Sequence, residues 1–205
     1  VATGQEIKAL RDHTDKVFSV AFSPNGKLLA AGDSKGIVQI WQVPTGSLQH
    51  TLQTNSQIST TVAFSPDSRR IATVNADNDA VIYDVATWQQ VQSLKHETQV
   101  LTVAFSPDNK YLATGCLDSS EAKLWELATG QEKQIFSGHH GTIWSLAFAP
   151  NGKMLATTGD DGVAKLWDLS SGNELASLRG HTRLVSTLTF SPDSQMLATA
   201  GWDNK

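Results

Sequence analysis

Ile143-Trp144-Ser145-Leu146-Ala147-Phe148-Ala149-Pro150-Asn151-Gly152-Lys153-Met154-Leu155-Ala156-Thr157 holds two short apolar runs separated by a turn signal. The first run alternates apolar and small residues at the period of two that a β-strand requires. In the Pro-Asn-Gly that follows, proline presets φ for a turn and asparagine suits the next place, so the chain folds back on itself. Further along, Asp161-Gly162 is a hairpin signal, and Val163-Ala164-Lys165-Leu166-Trp167-Asp168-Leu169 reads as a third strand. Ser171-Gly172 then turns the chain into a fourth run, Glu174 to Leu178. We label these four strands a to d.

The unit repeats. Phe22, Phe64, Phe105, Phe148 and Phe190 each end a strand a and precede Ser-Pro or Ala-Pro, at spacings of 42, 41, 43 and 42 residues. No segment carries a helical period. Short antiparallel strands, four per unit of about 42 residues, are the signature of propeller blades. The predicted fold is therefore all-β, a β-propeller of four-stranded antiparallel blades with about five units. The full repeats are predicted at 13–54, 55–95, 96–138 and 139–180, with 181–205 a shortened one and 1–12 strand d of a preceding repeat.

Composition narrows the function. The 205 residues carry 16 Lys and Arg against 20 Asp and Glu, net charge -4, with the basic residues spread along the chain. That distribution predicts neither a nucleic-acid surface nor an anionic-membrane surface. No apolar run approaches the ~18 residues of a membrane-spanning helix. The single cysteine, Cys116, permits no internal disulfide and suits a reducing, cytoplasmic setting.

Gly138-His139 and Gly180-His181, nine residues before the anchoring Phe, and Trp167-Asp168, nineteen after Phe148, give the chain its resemblance to WD40 repeats over nearly its whole length. The resemblance implies a buried network in each blade: a His before strand a, a Ser or Thr on strand b, an Asp in the b–c turn and the Trp of strand c. Carried over by offset, the complete sets are His139, Thr157, Asp161 and Trp167, and His96, Thr114, Asp118 and Trp125, the second with one extra turn residue. The first unit keeps His13 and Trp41 but has Ala31 and Lys35 in the middle places. The second keeps Thr73 and Asp77 but has Asn55 and Tyr83, so these two blades are expected to be looser. The fifth has His181, Thr199 and Asp203.

A Ser or Thr, His and Asp set also resembles a nucleophilic triad, but a catalytic set is needed once and this one recurs at fixed offsets. His13, His96, His139 and His181 share one repeat position and so fall in different blades, which predicts no metal site. Cys116 reads as a small packing residue. No cofactor is predicted.

Family resemblance places two positions per blade on the rim of one propeller face. They hold Phe18, Thr60, Leu101, Trp144 and Ser186 on strand a, and Ser34, Ala76, Leu117, Asp160 and Trp202 before the turn Asp. Phe18, Leu101, Leu117, Trp144, Asp160 and Trp202 stand out as a partner-binding rim, since large aromatics beside leucines form binding hot spots. The alternative for these positions is lining of the central channel. Trp88, which replaces a turn glycine, is expected on the outside. The implied function is a non-catalytic scaffold for a protein or peptide partner, and the resemblance extends to arrays that form the sensing or docking part of a longer regulatory protein. An enzymatic or ligand-binding propeller of the lectin or quinone-cofactor type is the competing reading. The alignment of Val1–Glu6 with Leu127–Glu132 predicts a segment of a six- to eight-bladed ring completed by further blades of the same chain. A five-unit ring is the alternative.

Overall fold

A computed structural model describes residues 5, 6, 8–56 and 61–204. Its eighteen described strands form five antiparallel sheets, and no helix occurs among the described residues. The first sheet comprises β1 (Val17–Phe22), β2 (Leu28–Asp33), β3 (Ile37–Gln42) and β4 (Ser47–Gln53). The second comprises β5 (Ala63–Phe64), β6 (Arg70–Val74), β7 (Ala80–Asp84) and β8 (Gln90–Leu94). The third comprises β9 (Val100–Phe105), β10 (Tyr111–Cys116), β11 (Glu121–Glu126) and β12 (Glu132–Ser137). The fourth comprises β13 (Ile143–Phe148), β14 (Met154–Gly159), β15 (Val163–Asp168) and β16 (Glu174–Arg179). In the fifth, β17 (Val185–Phe190) pairs with β18 (Leu197–Gly201). Within each sheet the strands pair in chain order, the topology that hairpin turns alone produce.

The a–b turns show why each needs its third residue. Gly26, Ser68, Asn109, Gly152 and Ser194 all have φ between 60° and 71°, a left-handed conformation that glycine adopts freely and Ser or Asn adopt at modest cost.

The core lies between the sheets. Leu28, Ile40, Val62, Phe64 and Ile71 join the first blade to the second. Val74, Ile82, Leu94, Val103, Phe105 and Leu112 join the second to the third. Leu124, Phe136, Ile143, Leu146, Phe148 and Leu155 join the third to the fourth. The anchoring phenylalanines expose the dependence on a neighbour. Phe64, Phe105 and Phe148, each seated on the blade before it, are 8% exposed, whereas Phe22 is 64% exposed. Burying such a ring is worth about 2 kcal/mol. Neither β17 nor β18 packs extensively on β1 or β2, so the described sheets form an open arc.

A second seam runs along the outside. The middle of strand d in one blade meets the c–d turn of the next, always 38 residues on. Lys8 reaches the turn of Gly46, where its Nζ donates to the Thr45 carbonyl at 2.7 Å. A Cβ at Gly130 would lie 2.7 Å from the Gln92 amide nitrogen, and one at Gly172 would lie 2.5 Å from that of Gln134. At the remaining turn the glycine is replaced by Trp88, held at φ 58°, and its indole stacks on His50 at 4.8 Å and 9°. Trp88 is thus half-buried in an inter-blade contact. Of the stretch 1–12, expected as strand d of a preceding repeat, residues 5, 6 and 8–12 form no ladder, there being no described strand c beside them. The rest of that stretch lies outside the described residues.

Gly115 on β10 shows how closely the blades approach. A Cβ there would fall 2.6 Å from Ile143 Cγ2 and 2.9 Å from Thr102 Cγ2, both firmly packed. Gly115→Ala is expected to destabilise the fold by about 1 to 3 kcal/mol, measured by urea unfolding. An unchanged midpoint would show that the blades are not packed this tightly.

Candidate functional site: hydroxyl-centred networks and an aromatic rim

In the fourth blade strands β14 and β15 bring Thr157 and Trp167 together, while the d–a connection lowers His139 onto both. The Trp167 indole N–H donates to Thr157 Oγ1 at 2.8 Å, and Thr157 Oγ1 lies 2.8 Å from His139 Nε2. His139 Nδ1 lies 3.0 and 3.1 Å from the two Asp161 oxygens. One assignment gives every proton one acceptor: indole to hydroxyl, hydroxyl to Nε2, and Nδ1–H to carboxylate, with the imidazole neutral. Burial drives the His139 pKa down, against the pull of Asp161. His140 is exposed, and its backbone N–H also donates to Asp161.

The third blade departs from the implied set. His96 Nε2 meets Thr114 Oγ1 at 2.9 Å, and Trp125 donates to that oxygen at 3.0 Å. His96 Nδ1, however, donates to the Leu94 carbonyl at 2.8 Å, and Asp118 stands outside the network, exposed and at φ 50°. Two features explain this difference. The b–c turn is one residue longer, and Cys116 occupies the place of Gly159 and Gly201, where a Cβ would come within 3.1 and 2.8 Å of the network imidazole. With that approach filled, the carboxylate is excluded. Burial pushes the Cys116 thiol up to about 11, which leaves it protonated and inert.

The first two blades recruit carboxylates that offset-matching misses. In the first, Asp33, two residues before Lys35, accepts from His13 Nδ1 at 2.8 Å, and Asp12 accepts from the Trp41 indole at 2.9 Å. Ala31 brings no hydroxyl, and His13 Nε2 is buried without a partner among the described residues. In the second, buried Asp79 accepts from Lys95 Nζ at 2.6 Å and from Ser93 Oγ at 2.9 Å, while Asp77 is exposed. There the Thr73 hydroxyl is buried and unpartnered. The signal was in the chain for two of them: Asp33 and Asp79 each sit two residues from the expected place. In the fifth blade His181 meets Thr199 and Asp203, both at 2.9 Å.

At the b–c end of the blades the rim residues come to the surface. Trp202 is 63% exposed, Phe18 55% and Trp144 37%, while Leu101 and Leu117 are half-buried. Trp144 and Asp160 are joined, the indole N–H donating to Asp160 Oδ1 at 2.6 Å. Burial pushes the Asp160 carboxyl up, but the hydrogen bonds from Trp144 and Thr142 outweigh it and hold the group below its ordinary value. The nitrogen edge of the ring is thereby tied down while more than a third of the residue stays exposed. A repeated backbone bond sets the rim: Ser34, Leu117, Asp160 and Trp202 donate to the carbonyls of Lys16, Gln99, Thr142 and Leu184, each eighteen residues earlier. Thr60 lies outside the described residues. Among the described residues, no three His, Cys, Asp or Glu side chains gather as metal ligands, and no helix is long and apolar enough to cross a membrane.

A family model described as the IFT122 first beta-propeller matches residues 38–205, and one described as WD domain, G-beta repeat matches residues 4–42. A ribosome biogenesis protein BOP1 homolog of Drosophila virilis is 40% identical over 48 residues, 23% of this chain and 6% of that protein. An uncharacterized WD repeat-containing protein of Nostoc sp. is 63% identical over 30 residues, 15% of this chain and 2% of that protein. The matched stretches are thus a small fraction of those relatives' length.

Two hydroxyls at one strand position separate the network's contribution from that of packing. Thr157→Val orphans the Trp167 and His139 nitrogens and is expected to cost about 2 to 4 kcal/mol. Thr73→Val removes an unpartnered hydroxyl and should leave stability unchanged or raised; equal losses from both would refute the assignment of donors. The buried imidazoles also predict an acid sensitivity. His96 and His139, both pushed below 6.5 chiefly by burial, bind protons less readily folded than unfolded. Stability should therefore be complete above pH 6.5 and decline as pH falls through the two folded values. Urea midpoints at about pH 7.5 and 5.5 check this, a midpoint rising toward acid being the contrary result.

Proposed function

Because the chain belongs to the family of WD-repeat β-propellers, matched by a family model over residues 38–205, we propose that it is a non-catalytic protein-interaction scaffold. A peptide or protein domain docks across the rim that carries Phe18, Leu101, Leu117, Trp144, Asp160 and Trp202. The observation that carries this reading is the Trp144 ring, its N–H tied to Asp160 while 37% of the residue stays exposed. A side chain already immobilised loses little entropy on binding, and aromatic rings of this kind dominate interface energies.

Ring completion by further blades of the same chain fits the exposed face of the first blade, where Val20 and Phe22 are 67% and 64% exposed. A contiguous apolar sheet face of that kind is an aggregation hazard unless covered. The scaffold works in the cytoplasm, as the docking or sensing part of a longer regulatory protein.

In the full-length protein, replacing Trp144 and Trp202 by Ala together should abolish capture of its cross-linked partners at unchanged circular dichroism. Replacing Leu175, exposed on the outer strand β16, should leave capture intact. A partner set unaffected by the double substitution would end the rim assignment.

A further inference from the structure

At the end of the blades opposite the rim, successive a–b turns are tied to one another. Asn25 N–H donates to Ser68 Oγ, Asp67 N–H to Asn109 Oδ1 and Asn151 N–H to Ser194 Oγ, each at 3.1 Å. Each acceptor is the third residue of the next turn, held at φ 60° to 62°. Between the third and fourth blades that residue is Gly152, and it brings no side chain. The Asp108 N–H therefore receives no cap from the neighbouring turn. There is room for one, since a Cβ at Gly152 would meet nothing within 4 Å.

A cavity of about 360 Å³ opens at this unstapled interface, lined by Pro107, Tyr111, Leu124, Lys133, Pro150 and Leu169 among others. Two of its residues, Lys133 and Tyr111, are peculiar to this place. Lys133 occupies the strand d position that holds Gln49, Val91 and Leu175 in the other blades, and Tyr111 the strand b position that holds Leu28, Arg70 and Met154. Among the described residues Lys133 has no ion pair and the Tyr111 hydroxyl no hydrogen bond. The nearby Asp108 carboxylate is already engaged by Ser106 Oγ at 2.6 Å, by the Lys110 N–H at 3.1 Å and by Lys110 Nζ at 3.6 Å. Its charge is therefore matched, and that of Lys133 is not.

We propose that this interface is a second binding site, distinct from the rim, for a peptide segment in which a large apolar residue adjoins an acidic one. The apolar side chain enters between Pro107 and Pro150 onto Leu124 and Leu169. A peptide carbonyl takes the Asp108 N–H that a serine or asparagine oxygen takes at the other interfaces, and the acidic group pairs with Lys133. The Asp108 N–H, which without a neighbour's cap turns only on its own carboxylate, asks for a second oxygen, the apolar lining for a hydrocarbon group and the unmatched ammonium for a negative charge.

The test is a titration of the full chain, followed by amide proton–nitrogen correlation spectra, with N-acetylated hexapeptides carrying Glu-Leu or Leu-Glu between glycines. Peptides with Gln in place of Glu are the controls. Saturable shifts centred on the Asp108 amide are expected at about millimolar peptide. They should weaken roughly threefold to fivefold in Lys133→Gln and with the Gln peptides, as loss of one exposed ion pair gives. Gly152→Ser installs the cap in a conformation that Ser68 and Ser194 already adopt, so it should keep the fold and abolish the shifts. Absence of saturable shifts, or shifts indifferent to both substitutions, overturns the proposal. Shifts confined to Trp144 and Trp202 overturn it too, while leaving the rim reading standing.

Discussion

A sheet with two apolar faces cannot stand alone in water, and every blade here is such a sheet. Its stability is borrowed from the blades on either side. The contrast between Phe22 and its three buried counterparts shows the size of that dependence at one position, and the same logic applies to each inward-facing residue of strands a and b. The inter-sheet core therefore comes first in the energetics, and the polar networks act within it. They do not drive association; they set which blade geometry is compatible with burial. An indole and an imidazole can be enclosed beside a threonine only if each finds its partner.

The architecture was legible because its strongest signals are short-range and repeated. A phenylalanine every 41 to 43 residues, a proline turn after it and an Asp-Gly or Thr-Gly turn further on report hairpins directly. The networks were less legible, since membership depends on where a turn aims a side chain and not on its count from an anchor. Asp118 has the right residue type near the right offset, yet the longer turn and the Cys116 side chain keep it out. Asp33 and Asp79 lie two residues from the expected place and are the buried acids of their blades. The outer seam was invisible to motif matching because its two halves belong to different repeats.

The two ends of the blades are built on different principles. At the b–c end, turn residues vary and bulky apolar groups reach the surface, anchored by a backbone bond that does not depend on side chains. At the a–b end, side chains fasten turn to turn, and of the four interfaces between the described blades only the one at Gly152 lacks the fastening. Variation means different things in these settings. On a permissive rim it is cheap, whereas at a repeated fastening a single exception leaves a donor without its usual acceptor.

His50 and Trp88 carry a consequence for how the array was assembled. Tandem units of this kind arise by copying, and a copied unit is at first interchangeable with its parent. At the outer seam, three of the four junctions still pair a long side chain with a glycine, so units bounded by them could be exchanged without a clash. The fourth pairs a tryptophan with the one histidine able to stack on it. Moving either unit elsewhere would set an indole against a lysine or glutamine, or leave the imidazole over a bare turn. The pair therefore fixes the order of the first two blades, giving the chain an internal address at which shuffling stops.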